Sequence, residues 1–158
     1  MQGSIDRDSL ESPAKERLSG RFMSSVQSIA VSGMLAASRR LEVSAHNVAN
    51  VRSDGALPDA QGNYSPDAPR PYTPQRVDQV ELATGGTRAV VTEVSPGYVA
   101  TYNPSAPYAN QDGLVAAPNV DLADEIVQQL MASYTYAANA RVVTSHNQMV
   151  KSLFDISV

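Results

Sequence analysis

The 158-residue chain contains no cysteine. That excludes a disulfide framework, thiol chemistry and a thiolate zinc site, and it leaves the compartment open because such a chain is indifferent to redox state. A basic block is also missing: sixteen acidic residues against twelve basic give a net charge of −4, so nucleic acid and anionic membranes are not expected partners. No apolar run approaches the roughly 18 residues needed to span a bilayer, so no direct membrane insertion is expected. The one stretch resembling a secretion signal, residues 22–38, is broken by Ser24, Ser25, Gln27, Ser28 and Ser32 where an h-region would be continuous. The most informative shortage is of charge near the two ends. Residues 23–50 carry only Arg39, Arg40 and Glu42, and residues 126–150 only Arg141.

What occupies those ends is helical periodicity. Val26, Ala30, Met34, Ala37, Leu41, Ala45 and Val48 follow Met23 at three- and four-residue steps, which predicts a helix over 23–50. A second stripe of Ile126, Val127, Leu130, Met131, Tyr134, Ala137, Ala138, Val142, Met149, Leu153 and Ile156 predicts another over 119–158. Asn119 or Asp121 caps it, with acidic residues in its first turn. A monomer's surface helix sets its stripe against a charged face, whereas these set theirs against Ser, Ala, Gln, Asn and Gly. The expectation is burial on several sides, by each other and then by other copies of the chain.

Residues 1–22 mix charges with Ser and Gly and are expected to form a flexible arm. The middle, 51–118, holds most of the Pro and Gly. Residues 75–82 and 87–94 have strand composition and are joined by Ala83-Thr84-Gly85-Gly86, a hairpin; residues 97–102 offer a third short strand, and 102–118 an extended linker. The expected fold is therefore mainly α with a small β part. The end helices pair as an antiparallel coiled-coil hairpin, and the Pro/Gly-rich middle containing a β-hairpin is displayed beyond them. Setting Val26 near Phe154 makes facing residue numbers sum to about 180. Val127, Leu130 and Tyr134 then lie in the seam, with Gln129 and Ala140 on the opposite face.

Chemistry is scarce. In that hairpin His46 and His146 do not meet, and neither has a second ligand at helical spacing, so no metal is expected. Asp121, Asp124 and Glu125 are accounted for by helix capping, and Gly85-Gly86 lacks the Lys and helix of a phosphate cradle. No catalytic residue and no cofactor is expected.

The motifs along these helices resemble the flagellar axial proteins, and among them the FlgC-type proximal rod family of the basal body. Ser44-Ala45-His46-Asn47-Val48-Ala49-Asn50 is similar to that family's A-x-N-(L/V)-A-N signature. Tyr102-Asn103-Pro104-Ser105-Ala106-Pro107-Tyr108, then Asp112-Gly113-Leu114-Val115 and Pro118-Asn119-Val120-Asp121, resemble the approach to its C-terminal helix. Glu125-Ile126-Val127, Ala132-Ser133 and Tyr136-Ala137-Ala138-Asn139 match motifs within that helix. Thr135 stands where the family usually has Arg, and residues 1–22 match nothing. The short middle and Val51-Arg52-Ser53 after Asn50 set the chain apart from hook and distal-rod relatives.

The resemblance implies a non-enzymatic subunit of the proximal rod. Such a subunit is exported by the flagellar export apparatus and assembles in the periplasm with its own copies and other rod proteins into a helical tube that transmits torque. Val26, Ala30, Met34, Leu41, Val48, Ile126, Val127, Leu130, Met131, Tyr134, Val142, Met149 and Leu153 are the expected packing residues. Asn47, Asn50, Pro118, Asn119, Val120, Asp121, Glu125, Tyr136 and Asn139 are the expected motif residues. The alternatives are a soluble coiled-coil adaptor for one helical partner, or another flagellar axial protein.

Overall fold

A computed structural model describes residues 12–156, with side chains from Val26 onward. It is mainly α with a small β part: α1 (Ser12–Ala49), β1 (Gln75–Glu81), β2 (Thr87–Glu93), β3 (Tyr98–Tyr102), β4 (Leu114–Pro118) and α2 (Leu122–Ile156). Helix α1 starts earlier than its apolar stripe predicts. Pro13 stands at the helix start, where a missing N–H costs nothing, and Ala14, Lys15, Glu16, Arg17 and Leu18 are good helix formers without any stripe. Of the arm expected over 1–22, residues 1–11 lie outside the described residues, and 12–22 belong to the helix.

The two long helices lie side by side with opposed chain directions. Gly33 meets Asn139, while Ser44 and Asn47 meet Glu125. Facing numbers sum to about 170 rather than 180, so each of these residues faces a partner eight to eleven places nearer the start of α2 than expected. The cause is local: the polar end of α1 is tied to the first turn of α2, and that tie, not the matching of apolar ends, sets the register.

The identity of the inner face is the larger correction. Helix α1 buries Ala30, Ala36, Ala37, Val43, Ser44 and Asn47, and α2 buries Ala132 and His146. Glu125, Gln129, Thr135, Asn139, Ala140 and Val143 of α2 are partly covered. Val127, Leu130 and Tyr134 are not in the seam; they are exposed, Tyr134 to 74%. Gln129 and Ala140, expected outside, are among the partly covered residues. The physical reason is clearance: small side chains let α2 and a hairpin close on α1, and at Gly33 even a Cβ would stand 2.8 Å from the Asn139 amide.

Strands β1 and β2 pair antiparallel from Gln75↔Glu93 to Glu81↔Thr87, joined by residues 82–86 in which Gly85 and Gly86 take φ of +87° and +89°. The hairpin lies along α1. At its tip, the Ser32 hydroxyl accepts the Thr87 N–H at 3.1 Å and donates to the Ile29 carbonyl at 2.7 Å. A Cβ at Gly86 would collide with that hydroxyl.

The stretch read as a linker over 102–118 contains a strand. Strand β4 pairs antiparallel with β3 from Tyr98↔Pro118 to Tyr102↔Leu114, and on its other side Ala116 exchanges two hydrogen bonds of 2.9 Å with Gly55. Val115 and Ala116 are fully buried. Gly55 is obligatory because its Cα is crossed by the chain at Arg70 and Pro71, leaving no room for any Cβ. The short run Leu114-Val115-Ala116-Ala117 after Gly113 was the available signal: a continuous apolar segment bounded by a turn suits a strand covered on both faces.

Candidate functional site

Two features stand out: a polar junction inside the chain and an apolar surface outside it. The junction forms where α1 ends. Asn47 is 2% exposed, and its carboxamide uses its whole bonding capacity. Its Nδ2 donates to the Gln75 carbonyl at 2.7 Å and to Glu125 Oε1 at 2.6 Å, while its Oδ1 accepts the Gln75 N–H at 3.0 Å and the Tyr72 hydroxyl at 2.9 Å. One turn earlier, the Ser44 hydroxyl donates to the Glu125 carbonyl at 3.0 Å. Burial, helped by the nearby Glu125 carboxylate, raises the Tyr72 pKa above its ordinary value and keeps the phenol a donor. Glu125 sits in the first turn of α2, where the helix dipole favours its charge.

The other motif residues close chain turns. Asn50 donates twice to the His46 carbonyl, through its N–H at 3.1 Å and its Nδ2 at 2.9 Å, and so closes the last turn of α1. Asn119 bonds the Gly97 carbonyl through its N–H and the Pro96 carbonyl through its side chain, which fixes the approach to α2. Asp121 Oδ1 accepts the N–H groups of Ala123 and Asp124 and caps α2. Pro118 is buried at the end of β4, and Val120 is half-buried just before the helix. Asn139 Nδ2 donates back to the Thr135 carbonyl and fills the space opposite Gly33. Tyr136 borders a shallow groove with Ala37, Leu41 and Ala132.

The expected packing residues divide. Ala30 is buried and Met34 and Val48 are half-covered, but Val26 and Leu41 on α1 are exposed. So are Ile126, Val127, Leu130, Met131, Tyr134, Val142, Met149 and Leu153 on α2. At about 100° per residue, the exposed apolar residues of α2 from Leu122 to Ile156 spread over more than half of its circumference. Charge is sparse beside them: of the three charged residues between 23 and 50, Arg39 and Glu42 pair at 2.7 Å.

His46 is exposed near the end of α1, while His146 is buried far along α2, and the helix register keeps them apart. Among the described residues, no three His, Asp or Glu side chains group as metal ligands, and no helix is long and apolar enough to cross a membrane.

Residues 111–156 match the family model described as flagellar basal body rod FlgEFG protein C-terminal. The chain is 39% identical over 132 residues to the flagellar basal-body rod protein FlgC of Salmonella typhimurium, covering 79% of this chain and 91% of that one. It is 30% identical over 140 residues to FlgC of Agrobacterium fabrum, covering 85% and 94%, and 30% identical over 144 residues to FlgC of Borreliella burgdorferi, covering 81% and 93%. With such likeness running nearly end to end in each relative, the chain belongs to the FlgC family of flagellar basal-body rod proteins.

Proposed function

We propose that this rod subunit assembles through the outer faces of its two long helices, which neighbouring subunits cover in the finished structure. That it is a structural component of the flagellar basal body, and not an enzyme, follows from its family. The observation supporting the assembly mode is that the two helices bury mainly small or polar residues and expose most of their large apolar ones. A contiguous apolar surface of that kind marks an interaction site. The helix pair is an antiparallel coiled coil by this reading, supported by the alternation of three- and four-residue steps through Gly33, Ala37, Arg40, Ser44 and Asn47. Heterologous contacts whose rotation does not close build a filament by symmetry, and torque then passes through packed helices. The Pro/Gly-rich middle contacts further neighbours.

The partners are copies of the chain and other rod proteins. Delivery is through the flagellar export apparatus, and the assembled rod lies in the periplasm. Val26, Leu41, Ile126, Val127, Leu130, Met131, Tyr134, Val142, Met149 and Leu153 are the contact residues. An adaptor for a single partner helix would need only one apolar seam, whereas the exposed residues surround more than half of α2. The test is the morphology of basal bodies from cells lacking the chain. Rings without rods are expected; complete rods would overturn the proposal.

A further inference from the structure

The Asn47 carboxamide joins three segments: the end of α1, the entry to β1 at Gln75, and the first turn of α2 at Glu125, whose carbonyl the Ser44 hydroxyl also ties to α1. A primary carboxamide is planar, so its two N–H bonds and its oxygen turn together. The bond to Glu125 fixes that plane, and the same plane aims Nδ2 and Oδ1 at the peptide of Gln75 in the two-bond manner of a strand neighbour. The Tyr72 hydroxyl holds the oxygen from the other side. The bond to a carboxylate is short and charge-assisted, which makes it the stronger constraint on the plane.

We propose that Asn47 couples the docking of α2 to the closure of the base of β1, so that ordering either element strengthens the other. Docked α2 presents Glu125, Glu125 sets the carboxamide, and the carboxamide is then pre-aimed at Gln75. Linkage makes the effect reciprocal: a closed β1 base holds the carboxamide in the orientation Glu125 needs. The coupling is a property of the single chain and does not depend on what the chain assembles with. Its consequence for a filament is that a neighbour holding α2 in place also tightens a part of the β region it does not touch.

The experiment is amide exchange on the full-length chain at low concentration. The Gln75 amide reports the latch, the Gln129 amide reports the first turns of α2, and the Ala116 amide, bonded to Gly55, serves as control. Glu125→Ala, which removes a group bonded to Asn47 and not to the Gln75 amide, should speed Gln75 exchange about tenfold and leave Ala116 unchanged. Glu125→Gln keeps an accepting oxygen and should stay within about threefold of the parent. Tyr72→Phe, acting from the far side, should speed Gln129 exchange about threefold. If Glu125→Ala leaves Gln75 exchange unchanged while Asn47→Ala frees it, the bonds are independent and the proposal is overturned. An unprotected Gln75 amide in the parent chain overturns it as well. Should Glu125→Ala unfold the chain, shown by loss of Ala116 protection, the Tyr72→Phe result decides, and an unchanged Gln129 amide refutes the coupling.

Discussion

The inner and outer faces of α2 invert the usual order of a helix. Inward lie Gln129, Ala132, Thr135, Asn139 and His146; outward lie Ile126, Leu130, Met131, Tyr134 and Leu153. In an ordinary monomer the second set would form the core, since burying each large side chain contributes about 1.5–3 kcal/mol. Here the chain alone forgoes that contribution along most of the helix. Hydrophobicity on α2 therefore marks the outer face, the one proposed above to be covered on assembly, and small or polar side chains mark the inner one.

The most damaging way to probe this contrast is a charge on the inner face. Ala132 is 1% exposed, so Ala132→Asp should cost several kcal/mol and separate the helices in the dilute chain, seen as lost helical circular dichroism. The matching outer variant is Leu130→Asp. It should leave the dilute chain's melting within about 0.5 kcal/mol of the parent, as surface changes do, while abolishing rod formation and swimming. Equal damage to the dilute chain from both variants would erase the distinction between the faces.

A smaller effect tests the close approach. Alanine normally favours a helix over glycine by about 1 kcal/mol, yet Gly33→Ala should destabilise by about that amount because Asn139 occupies the space. Adding Asn139→Ala should remove the cost, and thermal melts of the four chains check the pair. The smallest effect is at high pH. The folded-state pKa of Tyr72 is raised, so the protonated phenol stabilises the fold below its unfolded pKa of about 10, and that contribution is lost as pH climbs through the higher folded value. The alkaline loss of stability should be weaker in Tyr72→Phe, measured by denaturant melts between neutral and strongly alkaline pH.

Element types were readable from the sequence because period and turn chemistry are local. The strands at Gln75–Glu81 and Thr87–Glu93 follow from Val and Thr density around Gly85-Gly86, and the start of α2 from Asp121. The antiparallel pairing of the helices was readable, but the face each turns inward was not. Periodicity identifies a stripe without saying whether its partner is in the same chain, and choosing the largest residues turned α2 by about half a turn, setting Val127, Leu130 and Tyr134 inward in place of Gln129, Ala132 and Asn139. Strand β4 escaped because the prolines around it suggested an extended linker. The role of Asn47 depends on Gln75 and Glu125, residues 28 and 78 positions away, and no local pattern encodes such a meeting.

The β-hairpin is held to α1 at two points, Gln75 on Asn47 and Thr87 on Ser32. Those helix residues stand fifteen positions apart, about 22 Å at the helical rise, and the strand from Gln75 to its end at Glu81 spans about 20 Å at the strand rise. The agreement turns the hairpin into a gauge block. Length is thereby fixed in a part of the molecule where surface loops ordinarily drift: adding two residues to each strand would carry the tip about 7 Å past Ser32, and removing two would leave it short by as much. The tolerance for insertion belongs to the turn at residues 82–86 and not to the strands on either side of it.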